Sequence, residues 1–438
     1  MDTISQLAPT LRHLLTTLAD QAARQSGFVQ RQSPITGSIF TQTLVFGLQA
    51  NPNASLSSLS QTAAALGVDI SPQALEQRFT EQAATCLEIV LSSALQTAFS
   101  SDPLTLPLLA RFAGVFIQDS SIIVLPTAFK DRWQGCGGSS NHADAALKLQ
   151  LQLNLRDGRL LGQLHDGREA DTNSTLDAYL PPRALRIADL GYWELDRMHH
   201  LSLRGCFWLS RADGQTAVQS ADGCWWSVAE LLLKQESTTL DMAVRLGKQA
   251  SVEARLLAVR VPQGVADERR RRIRAQAKKE GKTPSRTALA LVDWTVLVTN
   301  VPAEMLVLEE ALVLARLRWQ IELLFKLWKS HGEVDVVREV KHWRQLCELY
   351  AKLLGCIVMH WVLVVSCWAN SARSLTQAAQ SYRQWSLALA GAMETKSGLI
   401  RQLRTIARCI GAGCRINRRK KRPSAFQLLL QWGDACLA

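Results

Sequence analysis

Apolar positions recur at three- and four-residue intervals through the first hundred residues, which predicts helices. Ser5 to Ala23 is one amphipathic stretch and Phe40 to Leu48 another, with Ser33-Pro34-Ile35-Thr36-Gly37 breaking the chain between them. Leu56 to Val68 and Pro72 to Phe79 follow, joined by Asp69-Ile70-Ser71, where Ser71 can cap and Pro72 can take the first helical position. Ser101 to Pro107 reads as a linker, and the period then changes. Gly114 to Asp119 is a short apolar run ending in an acid, and Ser120 to Pro126 is a second strand directly after it. Ala146 to Leu155 alternates strictly, with its five leucines on one side. Asp157-Gly158 turns it back into Arg159 to Leu164, a half-buried antiparallel ladder. Ala184 to Asp189 and Cys206 to Arg211 are further strands. The interval 213–300 is strand-like pieces interrupted by one basic segment, closing with Trp294 to Asn300. Leu314 to Lys329 contains no Gly or Pro and predicts a helix, and 331–438 is mostly helical. Domain boundaries are expected at 1–105, 106–345 and 346–438.

Composition narrows the partners. The formal net charge is +12 with a pI of about 9.4, which points to a polyanion such as DNA. A hydrophobic fraction of 47% is that of a folded globular chain. The ten cysteines form no CxxC pair and no Cys/His zinc pattern, and so read as reduced, mostly buried thiols. Leu353 to Trp368 is apolar but short of a membrane span and carries His360, so a buried helix is expected and no membrane. Nothing resembling a signal peptide opens the sequence.

Several residues carry candidate chemistry. In the 314–329 helix, Leu317, Ile321, Leu324, Phe325 and Trp328 form one apolar arc, and Arg318, Glu322, Lys326 and Lys329 share the adjoining one. Such an arc fits i,i+4 ion pairs, or an active-site acid among phosphate-binding cations. Asp119 and Asp189 each end a buried strand, and Asp189 opens the phrase Asp189-Leu190-Gly191-Tyr192. Arg269 to Arg274, with Lys278, Lys279 and Lys282, is denser in cations than a solvated face needs and suits sequence-independent phosphate contact. Gln73, Gln77 and Arg78 would meet DNA if 56–79 is a helix-turn-helix; the same stretch also fits an ordinary helical hairpin.

The spacing Arg318-x3-Glu322-x6-Lys329, with Trp319, Ile321, Phe325 and Lys326 between, resembles the Y-R-E-K signature of bacterial insertion-sequence DDE transposases of the IS-four type, the group that contains the Tn-five transposase. The signature Tyr is Ala315 here. The resemblance covers about 115–335, and the 56–79 stretch also resembles the end-binding region of these enzymes. It implies an α/β, ribonuclease-H-like (retroviral-integrase-like) catalytic domain with a β-rich insertion at about 213–300, flanked by helical N- and C-terminal regions. Asp119, Asp189 and Glu322 would be the catalytic acids and the ligands of two Mg²⁺ ions, with Mn²⁺ a possible substitute. Arg318, Lys326, Lys329 and Arg211 would contact the DNA backbone, and Trp294 would fill the gap left by a flipped base. The implied partners are double-stranded DNA, both terminal inverted repeats and target, and a second copy of the chain in the DNA complex. The implied location is the bacterial cytoplasm, at the nucleoid. The implied reaction is hydrolysis at the transposon ends and then strand transfer into target DNA, through a DNA hairpin; Ala315 removes a phenol that would contact phosphate near the flipped base, and no metal ligand. A non-catalytic, domesticated DNA-binding derivative and a ribonuclease-H-like nuclease are the alternatives.

Overall fold

The structure, a computed structural model, describes residues 2–137, 144–338, 340–370, 374–416 and 429. They fall into two compact units. One draws on Met1–Leu104, Ser120–Glu169 and Gln320–Arg422, the other on Thr105–Asp119 and Ala170–Trp319. Described helices from both ends of the sequence, such as Gly37–Ala50 and Lys396–Gly413, thus belong to one unit.

That first unit is mainly helical. Its central helix, His342–Cys367, is long and apolar enough to cross a membrane, yet 89% of its most apolar window is buried. It packs on the helices Gly37–Ala50 and Glu81–Gln96, as the core helix of a globular unit does. His360 within it hydrogen-bonds the Gly158 carbonyl at 2.8 Å, and burial pushes its pKa down to about 4, so it is neutral at pH 7. The predicted hairpin is present: β2 (Ala145–Asn154) pairs antiparallel with β3 (Leu160–Asp166), and Gly158 in the connection has φ +75°. The strand is not half-buried, however. All ten β2 positions are buried, including Lys148, Gln150, Gln152 and Asn154. Lys148 reaches the Glu169 carbonyl, so the alternating polar side is an internal layer and not a solvent face.

At the N-terminal hairpin, helix Leu56–Ala65 is followed by Gly67 at φ +83° and by Ser71, whose Oγ caps the Ala74 N–H at 3.2 Å. The second helix covers only Pro72–Glu76, shorter than the predicted 72–79. Phe79 leaves it to pack on Phe40, and Arg78 turns towards Ser33 Oγ at 3.4 Å. Gln73 and Gln77 remain exposed.

The second unit is built on a mixed sheet. β1 (Val115–Leu125), whose residues up to Asp119 belong here, runs parallel to β4 (Leu185–Ala188), and β4 runs parallel to β5 (Phe207–Arg211). The antiparallel strand β10 (Trp294–Thr299) follows β5, then β9 (Val252–Arg260), β8 (Thr239–Leu246), β6 (Ala217–Gln219) and β7 (Trp225–Ser227). The parallel strands read as continuous apolar runs because both of their faces are covered. Trp208, Met198, Leu201, Val228, Leu256 and Val298 fill one shared core. β1 is a single strand of eleven residues, so Asp119 lies within a strand and not between two as the sequence suggested. No Gly or Pro separates Asp119 from Leu125 to end it.

Candidate active site at the ends of the parallel strands

The register pairs Val115 with Leu185, Phe116 with Arg186 and Ile117 with Ile187. Continued by two residues, it brings Asp119 alongside Asp189, on neighbouring strands about 4.8 Å apart and with side chains on the same face. Asp189 is the residue after β4. It caps the turn Leu190–Tyr192, its Oδ1 accepting the Gly191 N–H at 3.0 Å. Asp119 Oδ2 accepts from Arg318 Nη1 at 3.0 Å, with both side chains largely shielded. A further acid, Asp171, begins the turn Asp171–Asn173, which packs against the Leu190–Tyr192 turn.

A buried charge network anchors this end of the sheet. Gln118 Nε2 donates to Asp177 Oδ1 at 2.6 Å, and Arg186 Nε donates to Gln118 Oε1 at 2.8 Å while lying 2.9 Å from the same Asp177 oxygen. Arg197 takes the other carboxylate oxygen of Asp177 at 2.9 Å and also holds the Ser174 carbonyl at 2.8 Å and the Thr172 carbonyl. The guanidinium of Arg186 lies 5.6 Å from the centre of the Tyr192 ring. Tyr192 is buried, and its hydroxyl meets no protein hydrogen-bond partner. Burial raises the pKa of that phenol most, followed by the negative charges of Asp171 and Asp119, with Asp189 also contributing. The phenol is thus a neutral donor among three carboxylates.

The predicted Leu314–Lys329 helix is two helices, Leu308–Leu317 and Trp319–Gly332, interrupted at Arg318. No Gly or Pro marks that interruption in the sequence. Arg318 belongs to the unit that holds Asp119 and Asp189, whereas Glu322, Lys326 and Lys329 lie on the second helix in the other unit. Glu322 and Lys329 are partly exposed there, Lys326 is exposed, and Ile321, Leu324, Phe325 and Trp328 are buried, as the apolar arc requires.

Arg211 closes β5, exposed, opposite Leu297 of β10. It lies close enough to Arg269 for its charge, after burial, to lower the pKa of Arg269. Trp294 does not match its expected role. The residue is 5% exposed, belongs to the core of the second unit and is covered by the Arg260 guanidinium 4.9 Å from its ring centre. Paired with Arg260 at the start of β10, it is a core residue and not a surface for a flipped base.

The basic run lies on helix Gln263–Lys279, and the structure divides its arginines. Arg269 is structural, donating to the Trp294 carbonyl at 2.7 Å and to the Val292 carbonyl at 3.3 Å. Arg270 pairs with Asp267 and Asp293. Arg271, Arg272, Arg274, Lys278 and Lys279 are exposed. The basic cluster Arg415–Arg422 lies outside the described residues beyond Ile416.

The donor chemistry at the strand ends suits a hard divalent cation. Asp119 and Asp189 are hard carboxylate donors on neighbouring strands, and an arginine already meets the charge of Asp119. Among the described residues no three His, Cys, Asp or Glu side chains are already drawn together as a metal cage. Sequence reading missed Asp171 and Tyr192 as members of this cluster. The Asp189-Leu190-Gly191-Tyr192 phrase contained Tyr192, but nothing in the spacing brought in Asp171.

A family model described as a transposase DDE domain matches residues 110–359. The transposase for insertion sequence element IS231F of Bacillus thuringiensis subsp. israelensis is 28% identical over 368 residues, covering 78% of this chain and 76% of that protein. The transposase for IS1151 of Clostridium perfringens is 25% identical over 373 residues, 79% and 78% of the two chains. The putative transposase InsL for IS186A of Escherichia coli (strain K12) is 25% identical over 248 residues, 55% and 64%.

Proposed function

We propose that this chain, which belongs to the transposase DDE domain family, cuts phosphodiester bonds at the ends of its own insertion sequence and joins them to target DNA. Transposase activity and DNA as its object follow from the family and its relatives; the chemistry below is our reading. Asp119, Asp189 and Glu322 are its acids, the first two on a ribonuclease-H-like core formed by β1, β4 and β5 and the third on helix Trp319–Gly332. The observation that carries this reading is the parallel register of β1 and β4, with Ile117 opposite Ile187, which continued by two residues puts Asp119 beside Asp189. Two carboxylates side by side do not both ionise without compensation, and a divalent cation supplies it.

Two Mg²⁺ ions, or Mn²⁺ in their place, would supply an activated attacking oxygen and a stabilised leaving oxygen for in-line displacement at phosphorus. The protein's part is positioning. Arg318 neutralises Asp119 in the protein alone. Its planar guanidinium can take two phosphate oxygens once Asp119 has another counter-charge. Lys326 and Lys329 follow on the same helical side and would track the strand backbone, with Arg211 at the end of β5 as a further phosphate contact. The Gln118–Asp177–Arg186 network beneath holds the two strand ends in register, so the acids need not be ordered when DNA arrives. Exposed cations of helix Gln263–Lys279 add sequence-independent affinity. Two copies of the chain would pair the two ends of the element, in the bacterial cytoplasm at the nucleoid.

The test is a cleavage and joining assay on duplex carrying the element's terminal repeats. Asp119→Asn and Glu322→Gln should each retain DNA binding and lose both products. Cleavage that survives either substitution would remove that acid from the centre. Nicking with no joined product would make the chain a nuclease.

A further inference from the structure

The net positive charge of the chain is concentrated in one part of it. Residues 349–433 hold thirteen lysines and arginines and a single acid, Glu394, while the rest of the sequence holds 37 of each sign and is neutral. Within this part, Lys352 donates to the Glu333 and Val336 carbonyls and Arg383 to the Ala50 carbonyl, so these two serve the fold. Helix Lys396–Gly413, in the unit that lacks Asp119 and Asp189, carries four more cations and no acid. Leu399, Leu403, Ile406 and Ile410 are its buried stripe. At about 100° per residue, Arg401, Arg404 and Arg408 lie within an arc of about 60° on the side opposite that stripe, and all three are exposed. Arg404 meets Asp2 at 3.1 Å, whereas Arg401 and Arg408 have no ion pair among the described residues. Like charges spaced this way destabilise a helix, and solubility asks for both signs interspersed, so the stripe is a burden to the fold that a polyanion would offset. A lipid surface is the poorer match, because a helix that binds one inserts its apolar face, and here that face is in the core. Arg401 and Arg408 are about 10 Å apart along the axis. Phosphates of one DNA strand recur every ~3.4 Å of duplex axis, so the stripe can follow a backbone.

We propose that the Arg401, Arg404 and Arg408 face of helix Lys396–Gly413 is a further duplex-DNA surface, holding phosphates without reading sequence, and that Asp2 competes with the DNA for Arg404. This rests on the reading of DNA as the object of this chain given above, and not on the metal centre.

The full chain is titrated with two duplexes over a salt series, one of unrelated sequence and one carrying the element's terminal repeat. Arg401→Ala combined with Arg408→Ala should reduce the slope of log K against log salt by about 1.8, equally on both duplexes. Asp2→Asn keeps a side-chain cap for the Ile4 N–H and releases Arg404. It should therefore raise affinity and steepen the slope by up to about 0.9, a gain that misfolding cannot produce. Thermal melting checks the double variant, and if that variant does not fold, Asp2→Asn decides. A wild-type slope in the deciding variant overturns the proposal. So does a loss confined to the terminal-repeat duplex, which would make the contact sequence-specific. Weakened binding to phosphatidylserine vesicles in the double variant, with the DNA slope kept, would assign the face to lipid instead. If the wild-type chain binds both duplexes with no salt dependence, the DNA reading itself fails and not this face alone.

Discussion

The paired stretch of β1 and β4 carries charge in two neighbouring places, and the fold treats them in opposite ways. In the first, Asp177 accepts from Gln118, Arg186 and Arg197, and each of these side chains is buried or mostly buried. In the second, Asp119, Asp171 and Asp189 are partly exposed, and Arg318 pairs with Asp119. The difference follows from solvent. A buried charge without a partner costs several kcal/mol, so the first place must be fully paired for the strands to stay together. Partly wet carboxylates can keep a surplus of negative charge at modest cost. Such acids can exchange one counter-charge for another, as binding a cation requires. Adjacent residues on one strand, Gln118 and Asp119, thus serve opposite ends: one fixes the register and the other exploits it.

Substitution separates the two places. Asp189→Asn should lower DNA cleavage by at least about a thousand-fold, at or beyond the loss from deleting one oxyanion-hole donor. It should leave the urea midpoint unchanged or slightly raised, because it removes one of several like charges. A large fall in stability would mean that the acids belong to the structural network after all. Asp177→Ala should do the reverse. Leaving Arg186 buried without its carboxylate should destabilise the chain by about 3–5 kcal/mol, read from urea unfolding, and activity per folded molecule should fall far less than in Asp189→Asn. Equal effects of the two changes on activity per folded molecule would erase the distinction.

How much of this was legible in the sequence depends on whether the signal was local. Asp119 and Asp189 stood out because an apolar run ending in an acid is written in six consecutive residues. The hairpin around Asp157-Gly158 was visible for the same reason. The burial of both faces of β2 was not, since Lys148 and Gln150 look like solvent positions until something covers them. Trp294 shows the opposite failure. A tryptophan at a strand start is equally consistent with a core or a surface, and Arg260 and Arg269, which enclose it, lie 34 and 25 residues away. The break at Arg318 had no Gly or Pro to announce it. Asp171 was missed because its approach to Asp189 is made by two short turns meeting in space, and no period records that.

The smallest effect applies the same comparison to helix Gln263–Lys279, where engaged cations are followed by solvent-facing ones along one run. Arg269 donates to the Val292 and Trp294 carbonyls, so it spends its charge on the fold. Arg271 and Arg274 are exposed on the same helix. If these bind phosphate, Arg271→Ala and Arg274→Ala should each reduce the slope of log K against log salt by about 0.9, with no change in thermal stability. For Arg269→Ala the expected signature is inverted: the slope stays, and the chain loses about 1.5–3 kcal/mol, the worth of a hydrogen bond to a charged group. Both measurements use one duplex and one salt series, so an unchanged slope in Arg271→Ala and Arg274→Ala would make the exposed cations a solubilising face. A reduced slope in Arg269→Ala would mean instead that its contacts with the two carbonyls open when DNA binds.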